Sequence, residues 1–217
     1  MNVHSGKARV SLKLDLHPDA FADRRTAILD AGERCFVTHG IHRTTMQDLA
    51  KLAGMSVGNL YRYFPSKDAF VLALAERDRA EAGQHLCHGD EAPWPTLVSL
   101  LRKHLVLAPR EKAMLLVELW AEGTRNPTIS AMLQRFDTEN RAWVAEVLGN
   151  SGSLSAEDLA ELTDRVCTES QGIVVSRAVT PDYDPEPAAE RLIAFVASRI
   201  EPRDRAPKPK LSRLESA

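Results

Sequence analysis

Residues 44–67 hold a concentration of polar and cationic side chains of the types that contact nucleic acids. Asn59 carries an amide that can both donate to and accept from a base edge, and Tyr61 and Tyr63 each carry a hydroxyl able to reach a phosphate. Lys67 adds a cation close to the start of a predicted helix, whose first backbone amides also attract phosphate. These residue types favour DNA recognition by this segment.

Two short helices are predicted to position these side chains. Thr45 and Asp48 have the spacing of a capping box, so the first helix begins there, and Gly54 ends it. Ser56 is a good N-cap for the second helix, and Pro65 stops it because the residue before a proline avoids helical geometry. Two short helices joined by a tight turn make a helix-turn-helix, whose second helix is free to enter a major groove.

The second short helix must also pack against the rest of the chain. Leu60 and Phe64 are predicted to face a small three-helix core, while Gly58 would permit close approach of the backbone to a groove. Tyr61 could instead pack in that core, and Lys67 could be a solvated surface charge. Composition and spacing alone leave both alternatives open.

The remainder of the chain is also predicted to be helical, so the fold class is all-α. Apolar residues mostly recur at spacings of three and four, as expected for amphipathic helices. The predicted organisation is an N-terminal three-helix helix-turn-helix domain (21–66) followed by a second helical domain (67–201). Helices are predicted over 21–38, from Ser66 to about Ala82, and at about 94–107, 111–124, 127–149, 156–179 and 186–200.

The two ends of the chain are predicted to lie outside this fold. Apolar and polar residues alternate from Val10 to Leu16, which is a strand pattern, but a single strand has no sheet to join. Residues 1–20 are therefore predicted to form a flexible arm. Residues 202–217 have the proline and charge content of a disordered tail.

Composition excludes several classes of protein. The 217 residues include only three widely spaced cysteines, so a disulfide-stapled secreted protein is not expected. No apolar stretch reaches the length of a signal peptide or a membrane span, which favours a cytoplasmic protein without a membrane partner.

Charge is distributed unevenly along the chain. Residues 1–80 carry 12 Lys and Arg against 9 Asp and Glu, whereas residues 81–200 carry 11 against 18. Because a basic region attracts phosphate and an acidic one repels it, this asymmetry favours polyanion binding by the N-terminal part alone.

One string of residue types between Gly40 and Phe70 is specific enough to compare with known families. Its members are Thr44, Thr45, Ala50, Ala53, Gly54, Met55, Ser56, Gly58, Asn59, Leu60, Tyr61, Tyr63, Phe64, Ser66 and Lys67. The string closely resembles the DNA-binding signature of the TetR family of transcriptional regulators. The resemblance covers roughly residues 22–70, and beyond it the helical architecture matches.

The resemblance implies a set of DNA contacts. Family members contact phosphate from the first short helix, and bases and backbone from the second. Where Val57 stands, other members often carry a polar residue, so contact with a thymine methyl group would replace hydrogen-bonded readout here. The matching positions are Thr45 and Gln47 on the first helix, and Ser56, Val57, Gly58, Asn59, Tyr61, Tyr63 and Lys67 on or after the second.

The resemblance also implies a ligand-responsive repressor that binds a near-palindromic operator as a homodimer and is released by a small molecule. The dimer would form through the helices near 156–179 and 186–200. Each helix has an apolar stripe that could be a dimer seam or an internal core, and Gly172 in the first helix would let two helices approach closely. The stripes contain Leu159, Leu162, Val166, Ser170, Ile173 and Val174 in the first helix, and Leu192, Ile193, Phe195, Val196 and Ile200 in the second.

A pocket for the small molecule is expected among the central helices. Methionine and aromatic residues at helical spacing could line it, although the same pattern is typical of an ordinary core. The candidates are Trp94, His104, Met114, Trp120, Met132, Phe136 and Trp143.

Other functions have less support. No nucleophile elbow, phosphate loop or zinc-protease string is found, so an enzyme is not predicted, nor is a cofactor. His85, Cys87 and His88 could hold a metal in a regulator of the same fold, with no obvious fourth ligand. Glu118 and Glu122, one helical turn apart, have a spacing that could serve metal binding, but they are expected to lie on a solvated helix face. A helical binding or scaffolding protein without operator binding is the remaining alternative.

Overall fold

The computed structural model of the chain describes residues 18–84 and 93–200, and every regular element in these ranges is a helix. This confirms the predicted all-α fold. The elements are α1 (Pro18–His39), α2 (Met46–Leu52), α3 (Val57–Leu60), α4 (Lys67–Gln84), α5 (Pro93–Leu101), α6 (Arg110–Gly123), α7 (Pro127–Ser151), α8 (Ala156–Val179) and α9 (Glu186–Ile200). Across the two ranges, no helix is long and apolar enough to span a bilayer.

Three boundaries differ from the sequence prediction. Helix α3 ends at Leu60 and a turn follows it, whereas the sequence predicts that the helix continues until Pro65 stops it. Helix α1 begins at Pro18, so its first residues belong to the helix and not to the predicted arm. The predicted helix at 94–107 changes character at Arg102, where six residues continue α5 as a π-helix ending at Leu107. The alternating pattern from Val10 to Leu16, the possible metal ligands at 85–88 and the tail at 202–217 lie outside the described residues.

Local capping sets the starts of the two short helices as the sequence predicts. Thr45 and Asp48 form a reciprocal capping box at the start of α2, and the Ser56 hydroxyl accepts from the Asn59 backbone N–H at the start of α3. Gly54, between the two helices, has a φ of +64°, a conformation that strains other residues. The turn geometry therefore requires a glycine there.

A first core joins the helix-turn-helix to the second domain. Phe36 of α1, Phe64 after α3 and Phe70 of α4 are fully buried together, and the ring of Phe70 lies against both of the others. The Phe70 ring also presses on the backbone of α1, where a Cβ atom on Gly32 would stand 2.3 Å from it. Leu115, Leu119, Ile129 and Met132 of α6 and α7 complete this core.

A second core lies between α5, α7, α8 and α9, and it corrects the prediction for the dimer seam. The large apolar residues of both predicted stripes are used inside the subunit. Helix α8 packs on α6 and α7, and α9 packs on α8 and on the π-helical segment that follows α5. Assigning the buried ones to a dimer seam is therefore wrong. They are Leu162, Val166, Ile173, Leu192, Ile193, Val196 and Ile200, while Leu159, Ser170, Val174 and Phe195 are half-buried.

Candidate nucleic-acid interface

The helix-turn-helix buries one face and exposes the other. Leu60 and Phe64 are buried, as predicted. The side chains proposed to meet DNA all reach the surface, either fully or in part. Thr45, Gln47, Ser56, Gly58 and Tyr61 are exposed, while Val57, Asn59, Tyr63 and Lys67 are half-buried.

No contact among residues 18–84 and 93–200 explains why residue 58, near the start of α3, is a glycine. A Cβ atom built on Gly58 would meet no atom within 4 Å, and the backbone there does not adopt a positive φ. A glycine inside a helix costs up to about 1 kcal/mol relative to alanine. Because none of the described residues requires a glycine there, Gly58 is better explained by another molecule that approaches the backbone of α3 from outside.

The Thr45 hydroxyl is already committed to the capping box. It donates to the Asp48 carboxylate over 2.6 Å and accepts from the Asp48 backbone N–H over 3.2 Å. The Thr45 backbone N–H also donates to this carboxylate, over 2.9 Å, and the two bonds that the carboxylate accepts from Thr45 hold the pKa of Asp48 below its ordinary value. The single hydroxyl proton of Thr45 is therefore directed at Asp48. The side chain of Gln47, two residues further along, is exposed on α2.

Lys67 has an intramolecular role that its sequence position did not reveal. Its ammonium group donates to the carbonyl oxygens of Ile41 and His42, over 3.0 and 3.2 Å, and so ties the start of α4 to the loop between α1 and α2. An ammonium group has three N–H donors, so one remains for a phosphate. A backbone contact with DNA and this tie are compatible.

We expect Lys67→Met to lower the free energy of unfolding by about 1–2 kcal/mol, because the half-buried ammonium donates to two carbonyl groups. Urea denaturation followed by circular dichroism measures this change. The matched control is Lys51→Met at an exposed lysine of α2, which should change stability by less than about 0.5 kcal/mol. Equal losses in the two variants would mean that the two bonds of Lys67 add nothing to stability.

Helix α6 holds the loop between α1 and α2 from the other side. The Glu118 carboxylate accepts from the backbone N–H of Ile41 over 3.1 Å and lies against Gly40, whose φ is +81°. Glu122, expected from the sequence to be solvated, is buried and paired with Arg125 at 2.9 Å. The expectation of a solvated face is wrong because this face of α6 packs on the helix-turn-helix domain.

An ion-pair network reinforces the same junction. The Lys112 ammonium lies 2.7 Å from Glu33 of α1 and 2.9 Å from Asp78 of α4. Arg77 bridges Asp30 and Glu33 from α4. Sequence reasoning missed this network, since its members are dispersed along the chain and only the fold brings them together.

The residues predicted to line a ligand pocket are divided between the two cores. Met132 and Phe136 pack in the first core, Trp94 and Trp143 pack against the second, and His104 is exposed on the π-helical segment. Met114 and Trp120 are half-buried on α6. The structure therefore does not bring all seven together as one contiguous cluster.

An exposed pair of short helices on a shared core, joined to a larger helical domain, defines a helix-turn-helix DNA-binding protein. The chain matches the family described as "Bacterial regulatory proteins, tetR family" over residues 28–74, and the "Tetracyclin repressor-like, C-terminal domain" over residues 90–199. The chain belongs to the TetR family of DNA-binding transcriptional regulators. The predicted resemblance, and the prediction of a regulator rather than an enzyme, are confirmed.

Individual relatives are consistent with this assignment. The HTH-type transcriptional regulator UidR of Escherichia coli (strain K12) is 30% identical over 151 residues, which cover 65% of this chain and 74% of UidR. The structure of Salmonella enterica GusR has a TM-score of 0.67 at 25% identity and covers 85% of this chain and 98% of GusR. A regulator from Saccharomonospora viridis, solved in complex with choline, has a TM-score of 0.70 at 21% identity and covers 82% and 98%.

Proposed function

We propose that this chain is a cytoplasmic repressor that binds a near-palindromic operator as a homodimer and leaves it when a small molecule binds. The observation that carries the proposal is the exposed start of α3. There Ser56 and Tyr61 face solvent on either side of Gly58, which has open space where a side chain would stand. A recognition helix placed in a major groove needs this combination of polar side chains and close backbone approach.

The proposed DNA contacts follow from the same surface. Asn59 and Tyr61 are assigned to base edges, with Val57 against a thymine methyl group. Gln47, Tyr63 and Lys67 are assigned to the phosphate backbone, together with Ser56 at the start of α3. Thr45 is also assigned to the phosphate backbone, because it lies at the start of α2. Its hydroxyl proton does not make this contact, since it is directed at Asp48.

The proposed dimer uses the outer faces of α8 and α9. The α8 face contains Thr168, Gly172, Val175 and Val179, which are all exposed and uncharged. A Cβ atom on Gly172 would meet nothing within 4 Å, although a glycine in the middle of a long helix is unfavourable. Small residues on an exposed helix face allow a partner helix to approach closely, which supports pairing of two copies of this chain.

The proposed release of DNA depends on how α6 is attached. This helix contacts the α1–α2 loop through Glu118 and the α1–α4 pair through Lys112, and it also belongs to the second domain. A small molecule that binds only one arrangement of the central helices would shift the position of the helix-turn-helix. A differential affinity of a few kcal/mol is enough to change which arrangement is populated.

The effector is proposed to bind between the central helices, near the aromatic and methionine residues of α5, α6 and α7. The choline complex of the S. viridis protein supports a small organic molecule as the effector of a protein with this fold. A thermal-shift screen of metabolites, followed by addition of each stabilising compound to the protein–DNA complex, would identify the effector of this chain.

A gel mobility-shift assay tests the proposed function directly. The wild-type chain is titrated against the intergenic DNA that adjoins its own gene, with an unrelated fragment of equal length as the control. We expect a discrete complex that forms with the intergenic fragment at a salt concentration where the control fragment stays free. Equal binding to both fragments, or none, would favour a helical binding protein without an operator.

A further inference from the structure

The first turns of α1 lie across the end of the recognition helix. The ring of Phe21 stacks on the ring of Tyr63 with a centroid distance of 4.7 Å and an angle of 13° between the planes. Arg24 donates to the carbonyl oxygen of Ala53, at the end of α2. The guanidinium of Arg25 lies 5.1 Å from the ring centroid of Phe64.

Tyr63 follows the recognition helix at the edge of the first core, and its side chain packs against that core. Helix α3 ends at Leu60, and Tyr63 follows in a turn in which its N–H donates to the Leu60 carbonyl oxygen over 2.9 Å. Its side chain is half-buried and points from a segment without regular helical support. The stack with Phe21 therefore adds, on the side away from regular helix, a contact that selects one orientation of the ring.

Phe21 is not explained by burial. Its side chain is 41% exposed, so it contributes little to the first core, and a polar residue would be expected at such a position near the start of a helix. The parallel stack on Tyr63 is the specific contact that this ring makes. Aromatic pairs in this geometry are more favourable than the buried area alone accounts for.

We infer that Phe21 is a positioning residue for DNA binding, which acts by holding the Tyr63 ring in the orientation that meets the DNA backbone. This inference rests on the proposed DNA contact of Tyr63. It extends the DNA-binding machinery to the first turn of α1, outside the two helices of the motif. Phe21 itself need not touch DNA.

The test compares DNA affinities of Phe21→Ala, Phe21→Leu and Phe21→Tyr, each with Tyr63 present and with Tyr63→Ala. The probe is a labelled duplex that the wild-type chain selects from a random-sequence DNA library, and binding is followed by fluorescence anisotropy. Thermal unfolding is recorded for every variant. Leu116→Ala, at a leucine that is 40% exposed on α6, is the control for removing a half-exposed apolar side chain.

We expect Phe21→Ala and Phe21→Leu to weaken binding by about two- to tenfold, and Phe21→Tyr to bind like the wild type because it keeps the ring. In the Tyr63→Ala background, changes at Phe21 should have no further effect on affinity, since the two residues act through one contact. Leu keeps the apolar bulk, so its loss of affinity should come with an unchanged melting temperature.

Several results would overturn the inference. The first is an equal loss of affinity for Phe21→Leu with and without the Tyr63 ring, and the second is no loss at all. If Tyr63→Ala binds as tightly as the wild type, Tyr63 is not a contact and the inference fails while the proposed function stands. If the wild-type chain selects no DNA sequence, the proposed function itself fails.

Discussion

Replacing Gly172 by arginine is expected to convert the proposed dimer into monomers of 24.0 kDa. The substitution places a long charged side chain on the exposed face of α8, where a partner helix would have to approach the backbone. In the part of the subunit that the structure describes, no atom lies within 4 Å of the Cβ position, so the new side chain meets no obstacle there. The subunit should therefore stay folded while the dimer dissociates.

Loss of the dimer should also remove operator binding. Two linked recognition helices gain on the order of 10²–10⁴ in apparent affinity over one, so the monomer should bind the selected duplex about a hundredfold or more weakly. Light scattering measures the mass, and anisotropy measures the affinity. The control is Ala142→Arg at an exposed position on α7, which should remain dimeric and bind normally. A dimeric Gly172→Arg protein would place the subunit interface elsewhere.

Substitutions at Gly58 are expected to lower DNA affinity without lowering the free energy of unfolding. Gly58→Ala should raise the free energy of unfolding by a few tenths to about 1 kcal/mol, because alanine is the better helix former and nothing in the chain opposes its methyl group. Gly58→Leu should also fold, yet lose about a hundredfold or more in affinity. The bulky side chain would occupy the space between α3 and the groove in both half-sites, where each lost base-pair contact costs about 1–3 kcal/mol.

The matched control for this pair is Gly149→Ala, a change at an exposed helical glycine near the end of α7. It should stabilise the fold without changing DNA affinity. Urea denaturation and anisotropy give the two quantities for each variant. If Gly58→Leu binds DNA as tightly as the wild type, the start of α3 does not enter a groove.

Much of the helix-turn-helix could be predicted from the sequence because its signals are local. The capping box of Thr45 and Asp48, the N-cap at Ser56 and the glycine turn at Gly54 each involve residues within a few positions of one another. Such signals need no knowledge of the tertiary fold. The sequence did not show how the capping box limits DNA contacts. The box that starts α2 also directs the hydroxyl proton of Thr45 at Asp48.

The contacts between domains could not be predicted because they join distant residues. Nothing near Glu118 in sequence indicates that its carboxylate would accept from the N–H of Ile41, and Lys67 gave no sign of its bonds to the same loop. The need for a glycine at position 32 could not be predicted either, because it depends on where the ring of Phe70 packs. These features arise from packing between helices.

The proposed dimer surface shows that hydrophobic periodicity alone does not identify an interface between subunits. Hydrophobic periodicity identifies the buried face of a helix but does not say whether a partner or the same subunit buries it. In α8 the large residues, such as Leu162 and Val166, face the subunit core, and the smaller ones, such as Thr168 and Gly172, face outward. Gly172 was the one sequence signal for the outer face, because a glycine in a long helix lets a second helix approach closely.

Selection of binding sites from a random-sequence DNA library tests most directly whether two copies of α3 read DNA across a two-fold axis. We expect the wild-type chain to enrich an inverted repeat whose half-site centres lie about one helical turn, or a whole multiple of it, apart. Gly58→Leu should enrich no sequence under the same conditions. A single unrepeated motif, or the same enrichment by Gly58→Leu, would contradict recognition of an operator by paired α3 helices.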